Sequence, residues 1–93
     1  MPKQVIKRDG TKEPFNSKKI RKAIKTAAEE AGLMPERIGL VTNQVSNTVL
    51  QSVKNKEEVA TSELKEKILG ELDRIEPAAA AAWRKYDQER GRP

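Results

Sequence analysis

The residues with most to offer chemically lie in VIKRDGTKEPFNSKKI, positions 5–20, where charged side chains crowd around one Asp-Gly pair. Lys7 and Arg8 stand just before that pair and Glu13 just after it. Asn16, Lys19 and Ile20 follow at the three- and four-residue spacing that puts side chains on one face of a helix. A helix starting there would aim its unpaired backbone N–H groups and the positive end of its dipole at one place, which is how proteins hold small anions. Lys7, Arg8 and Lys19 could add charge for phosphates. The carboxylate of Glu13 and the amide of Asn16 could read the hydrogen-bonding edge of a purine, between apolar walls from Val5 and Ile20. Each residue also has an ordinary explanation: lysines solvate small proteins, Ile20 suits a core, and Asn16 suits a helix cap. Only their combination is informative.

Composition removes many alternatives. The chain has no cysteine and no histidine, so it can form neither disulfides nor thiolate metal sites, and the usual general base is missing. There is no GxxxxGKS phosphate loop, and no residue stands out as a base for activating water. The expectation is a protein that binds without turnover, not an enzyme. Mg²⁺ arriving with a triphosphate fits this composition, whereas no carboxylate cluster marks a dedicated metal site. No run approaches the roughly 18 apolar residues of a membrane span, and the N-terminus lacks the apolar segment of a signal peptide. A cytoplasmic protein without a membrane partner is expected.

The net charge of +5 is unevenly spread. Residues 1–25 hold nine Lys or Arg against Asp9 and Glu13, while residues 26–93 hold ten against twelve acids. Such a local excess suits a compact anion at least as well as a long nucleic-acid backbone.

The elements that must position these groups can be read from periodicity. Asp9-Gly10 between two short extended runs predicts a β-hairpin over about 3–15, closed by a type I′ turn, with Pro14 restricting the second strand to an edge and Phe15 closing the hairpin. Asn16 or Ser17 can cap a helix over about 17–31. Pro35 opens a second over about 35–54. After a link through Val59, Thr61 or Ser62 can cap a third helix over about 62–75, and Pro77 starts a fourth over about 77–90. In that last helix Ala79, Ala82, Trp83 and Tyr86 mark one face, and the alanines allow close helix approach. The expected fold is mostly α, one domain over 1–93, with an N-terminal hairpin lid packed on a four-helix bundle.

The run VIKRDGTKEPFNSKKIRKAI resembles the opening of the ATP-cone family, small domains found at the N-terminus of ribonucleotide reductase catalytic subunits and after the zinc ribbon of the bacterial repressor of reductase genes. ATSELKEKIL and AAAAAWRKYDQER resemble its third and closing helices more weakly. The resemblance implies a short β-sheet cap over a four-helix bundle, binding ATP or dATP between cap and helices. It implies that Val5 and Ile20 line the adenine pocket, that Glu13 and Asn16 contact the base, and that Lys7, Arg8 and Lys19 face the phosphates. It also implies that Thr61 and Lys65 approach the nucleotide and that Trp83 lies beside it. The departure is Asp87, just after Tyr86, where relatives usually carry a basic residue; Arg84, Lys85 and Arg90 are candidate substitutes.

Relatives use the domain as a sensor that changes oligomeric contacts. With neither a reductase body nor a cysteine zinc ribbon in the sequence, a stand-alone adenine-nucleotide sensor is expected, acting through a homo-oligomer or a separate regulated protein. The alternatives are a small basic nucleic-acid-binding protein, suggested by the lysines of helix one, and a degenerate member serving only protein–protein contact.

Overall fold

The computed structural model describes residues 1–89; residue 90, the expected end of the fourth helix, and Arg90 as a candidate phosphate contact lie outside the described residues. Along the chain run β1 (Gln4–Ile6), β2 (Lys12–Pro14), α1 (Ser17–Glu30), α2 (Pro35–Val53), β3 (Glu58–Ala60), α3 (Thr61–Ile75) and α4 (Pro77–Glu89). Helix starts follow local chemistry. The Lys18 backbone N–H donates to Asn16 Oδ1 at 2.9 Å, which makes Asn16 the cap of α1. Pro35 opens α2, where its missing donor does no harm.

The helices form a closed ring in which α1 packs on α2 and α4, and α3 packs on α2 and α4. Ile24, Val41, Val45, Val49, Val53 and Leu72 are almost wholly withdrawn from solvent and fill its centre. Four valines at helical spacing are weak helix formers, so burial of that stripe, more than intrinsic propensity, holds α2 helical. The start of α2 is also tied to the junction of α3 and α4, where Arg37 bonds the Glu76 carboxylate at 2.7 Å and the Ile75 carbonyl at 2.8 Å. On α4 the fully buried residues are Ala79 and Ala80, while Ala82 and Trp83 are half-buried and Tyr86 is exposed. The buried face is thus rotated from the expected one. Two adjacent alanines let α4 sit close to α1 and α3, and the bulky rings are left toward the rim.

The lid is larger than a hairpin. β3 lies beside β1 in parallel, giving a three-stranded sheet in the order β2-β1-β3, with Val5 opposite Glu13 on one side and Val59 on the other. The residues read from sequence as a link through Val59 therefore form an edge strand. Three residues flanked by charge give almost no periodic signal, yet Val59 is 1% exposed and joins the bundle core. Val5 and Phe15 pack on the same cluster. Parallel pairing needs a long crossover, and α1 with α2 provides it.

The turn differs too. Gly10 N–H bonds to Lys7 O at 2.9 Å and Lys7 N–H to Thr11 O at 2.8 Å, and in this turn Gly10 alone has positive φ, at 88°. This is a type I turn followed by a left-handed glycine, and not type I′, which would need Asp9 left-handed as well. Asp9 stays right-handed because its carboxylate serves the turn, accepting from Thr11 N–H at 3.0 Å and from Thr11 Oγ1 at 2.6 Å. Those bonds hold its pKa below the ordinary aspartate value. Thr61 does not cap α3 either. The extended residue before the helix is Ala60, because β3 runs straight into it, and Thr61 Oγ1 donates to Ile6 O at 3.1 Å.

Two substitutions test these assignments by chemical denaturation. Val59→Ala should destabilise the protein by about 2 kcal/mol, as expected for truncating a fully buried aliphatic residue. Gly10→Ala should cost about 1 kcal/mol through left-handed strain alone, because a methyl group there meets no neighbour within 4 Å. An unchanged midpoint for Val59→Ala would exclude β3 as a core strand.

Candidate functional site

β2 leads through Phe15 into α1, and this junction forms an open recess of about 360 Å³ lined by Glu13, Pro14, Phe15, Asn16 and Lys19. Three residues singled out in the sequence, Glu13, Asn16 and Lys19, therefore meet around one space. Lys7 joins them through an ion pair, its Nζ lying 2.9 Å from Glu13 Oε1. The hydrogen bond from Lys7, followed by the charge of Lys7 and then by Lys19, holds the Glu13 carboxyl below the ordinary glutamate range, so it is ionised at neutral pH. Asn16 has its oxygen committed to the Lys18 N–H. Its amide NH₂ remains a donor.

The other predicted residues do not line this recess. Val5 is half-buried across from Glu13 in the sheet, and Ile20 is 8% exposed and belongs to the bundle core. Arg8 occupies the turn and is exposed. Thr61 is tied to the end of β1 by its bond to Ile6 O, so the N-terminus of α3 lies beside the strand that leads to Lys7. Lys65, one turn further on, pairs with Asp87 of α4. Trp83, one turn before Asp87, packs on the core with its indole N–H buried and without a hydrogen-bond partner among the described residues. Arg84 is held in a two-bond pair with Asp73, at 2.9 and 2.7 Å.

The recess thus offers an ionised acceptor, an amide donor, an aromatic wall and a lysine at a capped helix start, with a second lysine paired to the acceptor. Sequence reasoning gave Pro14 and Phe15 only structural roles, although both line the recess; the one available signal was an aromatic residue immediately before a helix cap. The partnership of Lys65 with Asp87 had no signal, since it joins two helices through space. Among the described residues no group of His, Cys, Asp and Glu could hold a metal ion, and no helix is long and apolar enough to cross a membrane.

Comparison with known proteins gives this geometry a context. The family model described as ATP cone domain matches residues 3–92. The transcriptional repressor NrdR of Treponema denticola is 39% identical over 79 residues, covering 84% of this chain and 52% of that protein. The transcriptional repressor NrdR of Synechococcus sp. (strain CC9902) is 35% identical over 90 residues, covering 92% of this chain and 56% of that protein. The namesake from Synechococcus elongatus is 29% identical over 90 residues, covering 92% and 52%. The chain therefore spans about half the length of the curated relatives it matches.

The electrostatics of the recess can be tested by following the Glu13 carboxyl carbon by NMR through an acid titration. Glu13 has a lowered pKa, so its pair with Lys7 persists at neutral pH and is lost as pH falls through that lowered value. Lys7→Ala should move the Glu13 midpoint upward, toward an ordinary glutamate. An unmoved midpoint would show that Lys7 does not hold this carboxylate.

Proposed function

The chain belongs to the ATP-cone family, and on that premise we propose that it is a non-catalytic regulatory domain whose ligand is an adenine nucleotide, ATP or dATP, bound at the β2–α1 junction. The observation that carries this reading is the meeting of Glu13, Asn16 and Lys19 around one recess, with Lys7 attached to it. The donor set suits adenine. An ionised Glu13 accepts from the exocyclic amine, and the Asn16 amide donates to a ring nitrogen. Guanine would present a carbonyl to the carboxylate and an N–H to the amide donor, which is a mismatch at both contacts.

In this reading Phe15 and Val5 supply apolar surface to the base, with Ile20 behind them. Lys19 faces the phosphates at the start of α1, where the helix dipole also favours negative charge. Lys7 and Arg8 approach from the turn side, and Thr61 and Lys65 approach from α3. The buried indole N–H of Trp83 fits a ligand acceptor nearby. Mg²⁺ would enter with the triphosphate, held by phosphate oxygens and water. The response proceeds through assembly, by self-association or by a separate partner. The relatives are named as bacterial transcriptional repressors, which favours the cytoplasm.

A second reading, nucleic-acid binding, is favoured by Lys18, Lys22 and Lys25, which lie exposed along α1 in a chain of net charge +5. Its signature is affinity that falls steeply with salt.

Isothermal titration at moderate salt with Mg-ATP, Mg-dATP and Mg-GTP separates these readings. Saturable heat is expected for the adenine nucleotides and little for GTP. Lys7→Ala and Lys19→Ala should each weaken ATP about tenfold without unfolding the protein, the usual scale of a charge-assisted contact. Glu13→Gln should reduce the preference for ATP over GTP by about tenfold, because the mismatched carboxylate is gone. If no nucleotide produced heat while a short duplex bound with strong salt dependence, the second reading would replace the first. Silence from both ligands would leave a domain that serves protein contact alone.

A further inference from the structure

Trp83 and Asp87 stand one turn apart on α4 and so share a face of that helix. The Trp83 indole N–H is buried without a hydrogen-bond partner among the described residues, and Asp87 Oδ2 is withdrawn from solvent in an ion pair with the Lys65 ammonium of α3. The Asp87 side chain is 18% exposed and that of Lys65 35%. Arg84, three residues before Asp87, takes no part in the pair, since Asp73 holds it through two bonds.

A short series of contacts connects Lys65 to the recess. Lys65 lies one turn beyond Thr61, whose Oγ1 donates to the Ile6 carbonyl at 3.1 Å. That carbonyl belongs to the peptide joining Ile6 to Lys7, and the Lys7 ammonium is bonded to Glu13, which lines the recess. The first turns of α3 therefore adjoin the stretch of chain that carries Lys7. On the nucleotide reading, Lys65 is the cation that α3 offers to the phosphates, and it is already taken.

We infer that Asp87 is an internal competitor for Lys65: in the free protein its carboxylate occupies the ammonium, and a nucleotide phosphate gains Lys65 only by displacing it. This rests on the nucleotide reading above and adds the residue that sets the strength of binding. The exchange is feasible because an ammonium on a flexible four-carbon stem can turn its three donors from one acceptor to another. It is opposed because Asp87, once left, is a largely covered carboxylate without its counter-charge. Glu13 differs on this point, since it is about half exposed and water can serve it when Lys7 moves away. Asp87 therefore holds affinity down, and the site fills at a higher nucleotide concentration than it would with Lys65 unoccupied. The indole N–H of Trp83, which Asp87 leaves unused, is a further donor on the same face of α4.

Titration calorimetry of the full chain with Mg-ATP, and separately with inorganic tripolyphosphate, tests the competition through a double-mutant cycle of Asp87→Asn and Lys65→Met. Asp87→Asn should tighten ATP binding about tenfold, the scale of one charge-assisted contact set free. In the Lys65→Met background the same change should gain no more than about twofold, because only screened repulsion between carboxylate and phosphate then remains. Circular dichroism checks the fold of each variant. If Lys65→Met unfolds the chain by stranding the Asp87 carboxylate, Lys65→Gln, which can still donate to it, supplies the background instead. Unchanged affinity in Asp87→Asn, or an equal gain with and without Lys65, would overturn the competition and leave the nucleotide reading in place. If ATP gave no heat with any variant while tripolyphosphate showed the gain and its dependence on Lys65, the adenine reading would fall and the competition would stand. Absence of heat from both ligands in every variant would sink the two together.

Discussion

β1 is bonded along both edges, antiparallel to β2 and parallel to β3, and each of those strands leads directly into a helix. Pairing therefore does more than close a small sheet: it fixes where α1 and α3 begin. β2 ends at Pro14, so the Asn16 cap follows beside the Gln4 end of β1, while Ala60 ends β3 beside Ile6 and starts α3 at the opposite end. The sheet could not hold this arrangement alone, because strands of three residues with few ladder bonds are marginal in water. Val5, Val59 and Phe15 anchor it by packing into the same core as the valines of α2. Site geometry thus depends on burial in the bundle, through strands too short to be stable otherwise.

Two of the lysines singled out in the sequence are paired internally: Lys7 with Glu13 beside the recess, and Lys65 with Asp87 between α3 and α4. Lys7 and Glu13 are 47% and 46% exposed, so solvent screens their attraction and the pair contributes little to stability. A weak, solvated pair is easily exchanged for a phosphate oxygen. Asp87 is less exposed than Lys65, and the residue that departs from the family pattern is the partner of a lysine on the neighbouring helix.

How much of this was legible in the sequence follows from which forces leave a periodic trace. The helices were legible because buried valines, isoleucines and leucines recur at helical spacing, and Asn16 and Pro35 marked starts that the fold uses. The cluster of Glu13, Asn16 and Lys19 was legible because those residues are close in the chain. β3 was not, since a three-residue strand is specified by its partner and by the burial of Val59, neither of which is local. The turn type was misread because an Asp-Gly pair suits two geometries, and the bonds from Asp9 to Thr11 decide between them. The face of α4 was misjudged for a related reason. Aromatic residues are the usual markers of a buried face, but here the closeness of α4 to α1 is set by Ala79 and Ala80, and Tyr86 is left outside.

On the sensor reading a ligand in the recess would need a physical route to the rest of the bundle, and α1 offers a short one. Lys19 lines the recess, and two residues later Arg21 leaves the same helix to bond Asn43 on the outer face of α2. α1 also packs along α2, so a small displacement of its N-terminal turn changes both the bond to Asn43 and the seat of α2. On the sensor reading such a link would matter only if ligand and partner favoured the same arrangement of α1, since coupling between two sites is a difference in affinity between two states, and each would then bias the binding of the other by the same free energy.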